Sequence, residues 1–230
     1  MSLILCIETA TPVCSVALGG QAREIKLKET DRKNSHSEIL TVLIDELMKD
    51  TGKKFTDLSA IAVSKGPGSY TGLRIGVSVA KGLCYALGIP LLSVNTLQSM
   101  AAGMVAKIID PASLFCPMID ARRMEVYCAI FDHTLNEVRE TRAEIITSNS
   151  FSDHLNESTI YFFGDGAVKC KGVIENRNAR FIEDFKASAE FLIPIAWKKF
   201  QNKQFENTAY FEPFYLKDFI PGIPKVKGLK

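Results

Sequence analysis

The sequence predicts an α/β protein of two similar halves, each with its elements in the order β-β-β-α-β-α. Three observations predict it. Hydrophobic periodicity switches from about 2 to about 3.6 residues within each half. The order of elements in the first hundred residues recurs after residue 112. An acidic residue after the first strand and a glycine loop after the fourth stand at matching places in both halves.

Leu3–Ile7 is an apolar run bounded by Glu8-Thr-Ala-Thr-Pro12, which reads as a buried strand and a turn. Cys14–Leu18 is a second strand, closed by the hairpin signal Gly19-Gly20. In Arg23–Lys28, Ile25 and Leu27 alternate with charges, as in a strand with one wet face. The period then changes. Ser35 and Glu38 form a capping box and Gly52 fits a C′ position, so a helix is expected over His36–Thr51. Ala60–Ser64 is a strand, Lys65-Gly-Pro-Gly-Ser-Tyr-Thr-Gly72 a glycine loop, and a helix follows to Gly88. Pro90–Val94 is a strand and Asn95 starts a further helix.

In the second half, Leu114–Ile119, Met124–Phe131 and Val138–Thr147 read as strands and Asn149–Leu155 as a short helix. Thr159–Phe163 is a strand, followed by Gly164-Asp-Gly-Ala167 and a helix to Glu175. Ala179–Ile182 is a strand and Ala187–Phe200 a helix. Ile7-Glu8-Thr-Ala answers Ile119-Asp120-Ala-Arg, and the loop at Gly66 answers Gly164-Asp-Gly. Matching order and matching motifs together predict an internal duplication. The expected division is 1–105 and 106–230, the end of the chain packing back on the first half.

The 230 residues are 47% apolar and 23% charged, with a net charge of +2. That balance excludes a disordered chain and a strongly basic nucleic-acid binder. No apolar run reaches the roughly 18–20 residues of a membrane span. The start at Met1–Ile7 lacks a basic n-region, so it reads as a strand and not as a signal peptide. The six cysteines contain no CxxC pair. Cytoplasmic, reduced thiols are expected.

The glycine loop with Gly66, Gly68 and Gly72 could present backbone N–H groups to an anion at a helix start, with Arg74 just beyond. It is neither a Walker A motif nor a dinucleotide fingerprint. The other reading is a tight strand-to-helix crossing that only glycine permits. Glu8, at a strand end, could hold a metal-bound nucleotide or be a solvated turn acid. Asp120 has the same two readings, with Arg122 or Arg123 as its partner. His36, His133 and His154 are too scattered for a helical metal pair, and Ser69 does not sit in a GxSxG elbow. No catalytic residue and no metal ligand emerges.

The helix surfaces carry a different signal. In Leu73–Leu87 the polar residues Arg74, Ser78, Lys81 and Tyr85 form one narrow stripe, and Gly76, Ala80, Gly82 and Ala86 permit close approach. The apolar residues of His36–Thr51 cover roughly 240° of arc, where one core face needs about 100°. Burial on two sides is expected, by the sheet and by a partner. Leu40, Leu43, Leu47, Gly76 and Ala80 are the candidate interface residues.

Several stretches resemble the TsaB family, the bacterial partner of the TsaD enzyme that makes threonylcarbamoyladenosine in tRNA. They are Ile7-Glu8-Thr-Ala-Thr, His36-Ser-Glu-Ile-Leu40, Gly66-Pro-Gly-Ser-Tyr-Thr-Gly-Leu-Arg-Ile-Gly-Val77, Ala80-Lys-Gly82, Gly88-Ile-Pro90 and Ile119-Asp-Ala-Arg122. The match is dense over residues 3–130, and Phe211–Leu216 resembles the family's Pro-x-Tyr-Leu ending. The resemblance implies the actin-like ATPase (ASKHA) superfamily fold, two ribonuclease-H-like halves. It also implies that Thr96 and Met100, in Val94-Asn-Thr-Leu-Gln-Ser-Met100, stand where TsaD relatives carry two metal-binding histidines. The implied function is that of a non-catalytic scaffold or activating subunit for threonylcarbamoyl transfer to the adenosine beside the anticodon. The implied partners are a TsaD-like catalytic subunit and a TsaE-like ATPase, with a homodimer when alone, tRNA contact indirect or unknown, and no membrane. No cofactor is expected on the chain alone; a nucleotide could sit at the partner interface. The alternative is a stand-alone ATP-dependent enzyme of the same fold, with Glu8 and Asp120 across a cleft. A glycoprotease reading has neither a metal pair nor a nucleophile and base to support it.

Overall fold

Two five-stranded sheets of one topology carry the architecture, in a computed structural model that describes residues 2–20, 25–31 and 36–217. The first sheet takes β1 (Leu3–Glu8), β2 (Cys14–Gly20), β3 (Lys26–Thr30), β4 (Leu58–Gly66) and β5 (Leu91–Asn95), in the order β3-β2-β1-β4-β5. The second takes β6 (Leu114–Asp120), β7 (Glu125–Phe131), β8 (Glu137–Ile145), β9 (Ile160–Phe163) and β10 (Ala179–Ile182). Its order, β8-β7-β6-β9-β10, repeats the first strand for strand. In both, the first three strands are antiparallel and the fourth and fifth run parallel to the first. The duplication read from element order is therefore present in three dimensions.

The helices are α1 (His36–Asp50), α2 (Tyr70–Leu87), α3 (Thr96–Val105), α4 (Ser152–Glu157) and α5 (Ile193–Gln201). Their ends follow local chemistry. Ser69 Oγ accepts from Gly72 N–H at the start of α2, and Gly88 closes it in the left-handed conformation. Asn95 Oδ1 accepts from the N–H groups of Leu97 and Gln98 and starts α3. Gly52, at φ 63°, donates to Lys49 O past the end of α1, while Lys53 N–H reaches Met48 O. Ser35, the other half of the expected capping box, and Arg23, the expected start of the third strand, lie outside the described residues.

Two expected helices change. Val168–Cys170 is a single 3-10 turn where a helix to Glu175 was expected. Cys170 and Ile174 already bury their side chains there, so one turn is enough to cover β9. Ala187–Phe200 splits into a 3-10 turn, Ala189–Leu192, and α5. Pro194 lacks an N–H and is accommodated only in a first turn, so α5 begins beside it.

The first sheet is covered on both faces. Leu5, Ile7, Val16, Ile61 and Val63 meet α1 and α2. The alternate residues Ile4, Cys6, Ala17, Ala60, Ala62, Leu92 and Val94 meet Leu192, Ile193 and Ala196. Thus α5, from the end of the chain, completes the core of the first half. Leu97, Met100 and Met104 of α3 pack with Phe115, Ile119 and Phe131 of the second sheet, which joins the halves. All six cysteines are free and buried. No helix among the described residues is long and apolar enough to cross a membrane.

The candidate interface residues belong to this core. Leu40, Leu43 and Leu47 are 1%, 6% and 2% exposed and Ala80 is fully covered. Gly76 faces Thr9. The wide apolar arc of α1 has two internal neighbours, the β2–β3 side of the sheet and α2, which take most of it and leave Val42 outside. Burying each of the three leucines contributes roughly 2 kcal/mol. Leu43→Asp should therefore unfold the chain, at a cost on the order of 4–5 kcal/mol for an unpaired buried charge. Circular dichroism melting checks this; a variant with native ellipticity and an unchanged melting temperature contradicts the seating of α1.

Candidate functional site

The glycine loop leaves β4 and drops α2 directly onto the backbone that leaves β1. A Cβ at Gly68 would lie 2.4 Å from Ala10 O, one at Gly72 would lie 2.1 Å from Thr9 O, and one at Gly76 would lie 2.3 Å from Thr9 Oγ1. All three distances are shorter than any real contact, so glycine is required in the loop at 68 and, four residues apart, on one face of α2 at 72 and 76. Ser69 N–H donates to Ala10 O at 2.7 Å and closes the crossing. Gly66, at φ 112°, lies under the carbonyl of Phe214, whose N–H donates to Lys65 O at 2.7 Å.

These contacts answer the anion question. Gly66 N–H donates to Thr96 Oγ1, Ser69 N–H to Ala10 O and Gly72 N–H to Ser69 Oγ. These three amides are spent inside the chain. The loop is a tight strand-to-helix crossing in which the Gly66 and Gly72 amides are already engaged. Arg74 is exposed; its guanidinium lies 4.2 Å over the Tyr70 ring, and its Nε donates to Tyr215 OH. The second glycine loop repeats the design. A Cβ at Gly164 would meet Met118 O at 2.4 Å, and one at Gly166 would meet Ile119 C at 2.8 Å, at the end of β6.

Thr96 and Met100 are also committed. Thr96 is fully buried as the acceptor for Gly66, and Met100 places its methyl group against Gly164. One side chain thus braces the first glycine loop and the other braces the second. No group of three His, Cys, Asp or Glu suited to a metal ion occurs among the described residues.

Glu8 is fully buried, which neither sequence reading anticipated as a closed site. Its Oε1 accepts from Ala10 N–H at 2.6 Å and from Ser64 Oγ at 2.9 Å. Its Oε2 is buried without a partner, as are Thr9 Oγ1 and Thr11 Oγ1. Burial pushes the Glu8 carboxyl from the ordinary 4.5 up to about 7, against the hydrogen bonds from Ala10, Ser64 and Thr9 that favour its charged form. Asp120 is half exposed. Its Oδ1 takes Lys169 Nζ at 2.5 Å and Arg122 N–H at 2.8 Å. Partial burial raises its pKa, but the Lys169 and Arg122 contacts outweigh that and hold it below the ordinary value. Its ionic partner is therefore Lys169; Arg122 and Arg123 are both exposed, on a left-handed turn. Glu8 and Asp120 share no hydrogen-bond partner among the described residues.

A strap from the C-terminal side overlies the loop, in the direction expected for the end of the chain. Glu206 N–H donates to Leu91 O, Lys81 Nζ reaches the carbonyls of Ala209 and Phe211, and Tyr215 stacks at 4.7 Å on Tyr70. Lys217 then pairs with Glu125 of the second sheet.

Two five-stranded mixed sheets of repeated topology, bridged by one helix, make an α/β protein of actin-like (ASKHA-like) fold. The Clostridium difficile activator of 2-hydroxyisocaproyl-CoA dehydratase with bound ADPNP superposes with a TM-score of 0.53 at 9% identity, over 88% of this chain and 97% of that one. A Pseudomonas aeruginosa protein described as similar to the peptidase YeaZ superposes at 0.83 with 24% identity, over 94% of this chain and 100% of that one. The family model of TsaD, tRNA N6-adenosine threonylcarbamoyltransferase, matches residues 29–218. The Escherichia coli tRNA threonylcarbamoyladenosine biosynthesis protein TsaB is 31% identical over 223 residues, 94% of this chain and 95% of its own length. The chain belongs to the TsaB family.

The raised pKa of Glu8 fixes a sign. The fold prefers the protonated acid, so this contribution to stability is complete below about pH 4.5 and is lost as pH rises through about 7. A shift of that size is worth on the order of 3 kcal/mol. Glu8→Gln keeps an acceptor for Ala10 and Ser64 without the charge. It should be more stable than the parent at about pH 8 and equal to it near pH 4. Denaturant unfolding across pH checks this; equal stability of the two proteins at both ends shows that Glu8 is not a buried, protonated acid.

Proposed function

We propose that the chain is the non-catalytic scaffold or activating subunit for threonylcarbamoyl transfer to the adenosine beside the anticodon of tRNA. It acts by binding a TsaD-like catalytic subunit. The observation that carries this reading is the use made of Thr96 and Met100. At the places where the resemblance puts metal-binding histidines, one side chain braces the Gly66 loop and the other packs on Gly164. Family membership supports the pathway, and the Gly66, Ser69 and Gly72 amides, already bonded within the chain, favour a scaffold over the stand-alone ATP-dependent enzyme.

The surface offered to the partner is the outer face of α1 and α2. With Leu40, Leu43 and Leu47 turned inward, that face carries Val42, 46% exposed, and Tyr85, 89% exposed. The half-buried Ile39, Ile75, Val79 and Leu83 flank them, and nothing stands over Gly82. A large exposed aromatic beside small residues fits a helix–helix contact. A second copy takes the same face when the chain is alone. The TsaE-like ATPase and any nucleotide belong to the assembled complex and not to this chain by itself.

The test is reconstitution with the TsaD-like protein of the same source. Modification of tRNA should need this chain, and the chain alone should turn over no nucleotide. Tyr85→Ala and Val42→Asp should each weaken assembly by roughly tenfold or more while leaving circular dichroism unchanged. Nucleotide turnover that follows this chain through purification, or modification proceeding equally without it, defeats the reading. Normal assembly by both variants places the interface elsewhere.

A further inference from the structure

We propose that a cavity between β8 and α4 on the second half binds a small phosphate monoester, with Arg139 and Arg142 as the groups that recognise it. The cavity holds about 360 Å³, a volume at the small end of ligand sites. Arg139, Arg142, Glu144, Ser150, Asp153 and His154 are among its walls. It shares no residue with the α1–α2 face, so it stands or falls separately from the partner reading.

Arg139 is built in. Its side chain is only 15% exposed, and its guanidinium lies 4.5 Å over the ring of Phe151, itself 4% exposed. Nη2 meets Glu144 Oε2 at 2.7 Å, while Nη1 is buried with no hydrogen-bond partner. A buried, charged donor without an acceptor is costly, and the residue that carries it lines the cavity. Arg142 reaches the same Glu144 oxygen through Nε at 3.2 Å and is 46% exposed. Glu144 is thereby shared by two guanidinium groups, which it positions side by side. Two guanidinium forks held by one carboxylate match the oxygens of a tetrahedral dianion, a geometry a single lysine charge would not supply. Stacking on Phe151 fixes Arg139 before any ligand arrives, so little ordering is left for binding.

The charge balance sets the ligand's size and the signs of the test. Arg139 and Arg142 are offset by Glu144 and Asp153, with His154 beside them, so the cavity favours one small anion and not a polyanion. Asp153 is exposed, carries no ionic contact to either arginine, and opposes a phosphate.

The experiment is calorimetric titration of the full chain with inorganic phosphate and with glycerol phosphate, against chloride at matched ionic strength. The expected result is saturable binding of both. Arg142→Gln should weaken it by roughly tenfold. Asp153→Asn should tighten it. Both positions are on the surface, and near-ultraviolet circular dichroism verifies that each variant keeps the parent's packing. No saturable response beyond chloride overturns the proposal. So does equal affinity in parent and Arg142→Gln, or a loss of affinity in Asp153→Asn. A short RNA that binds in an Arg142-dependent way where the phosphates do not also overturns it.

Discussion

The close approach of α2 to the peptide groups of Thr9 and Ala10 is the constraint on which the other contacts rest. Gly68, Gly72 and Gly76 remove every Cβ from that line, and Ser69 N–H ties it to Ala10. With α2 seated, α1 can pack beside it and both can cover Leu5, Ile7 and Val63. The same approach closes the end of β1, so that Glu8 is sealed beside Ser64 with one oxygen unpartnered. Dense packing and a buried acid have one cause, because the backbone that encloses the carboxyl is the backbone the glycines press upon.

The second half keeps this design at lower cost in residues. Gly164 and Gly166 press on the end of β6 as the first loop presses on β1, but the helix behind them has contracted to a single 3-10 turn. What the second sheet lacks in its own helices it receives from α3, whose Leu97, Met100 and Met104 lie on Phe115 and Phe131. Met100 therefore belongs to two structural units. It lies in α3, the helix that follows the fifth strand, and so touches both halves.

The strands and their order were legible because each apolar run is short and bounded by Gly, Pro, Asn or Asp. Asn95 and Gly88 marked helix ends correctly for the same local reason. The glycine loop was legible as a motif but not as a contact, since Thr9 and Ala10 are distant in sequence and only the fold brings them under Gly72. Spacing of 4 and 4 at Gly68, Gly72 and Gly76 was the available sign of a close approach. Periodicity gave α1 too much apolar arc and could not say that α2 would take the second side. Glu8 was visible as an acid at a strand end, while its burial depends on covers from β4 and the Thr9–Thr11 turn. Arg139 was not singled out at all, because its neighbours Glu144 and Phe151 come together only across β8 and the following loop.

The position of α5 has a consequence for how the chain is made. Ile4, Cys6, Ala17, Ala60, Ala62, Leu92 and Val94 have all been synthesised by residue 94, yet their cover is Leu192, Ile193 and Ala196. During translation the first sheet can pair its strands and take up α1 and α2, but one greasy face waits for about a hundred further residues. At ordinary elongation rates of roughly 5–20 residues per second, that wait lasts on the order of 5–20 seconds. Long-range closure of this kind slows folding and leaves a nascent surface open to chaperones. The N-terminal half is thus finished last, and a chain cut before residue 190 would present a sheet with one side bare.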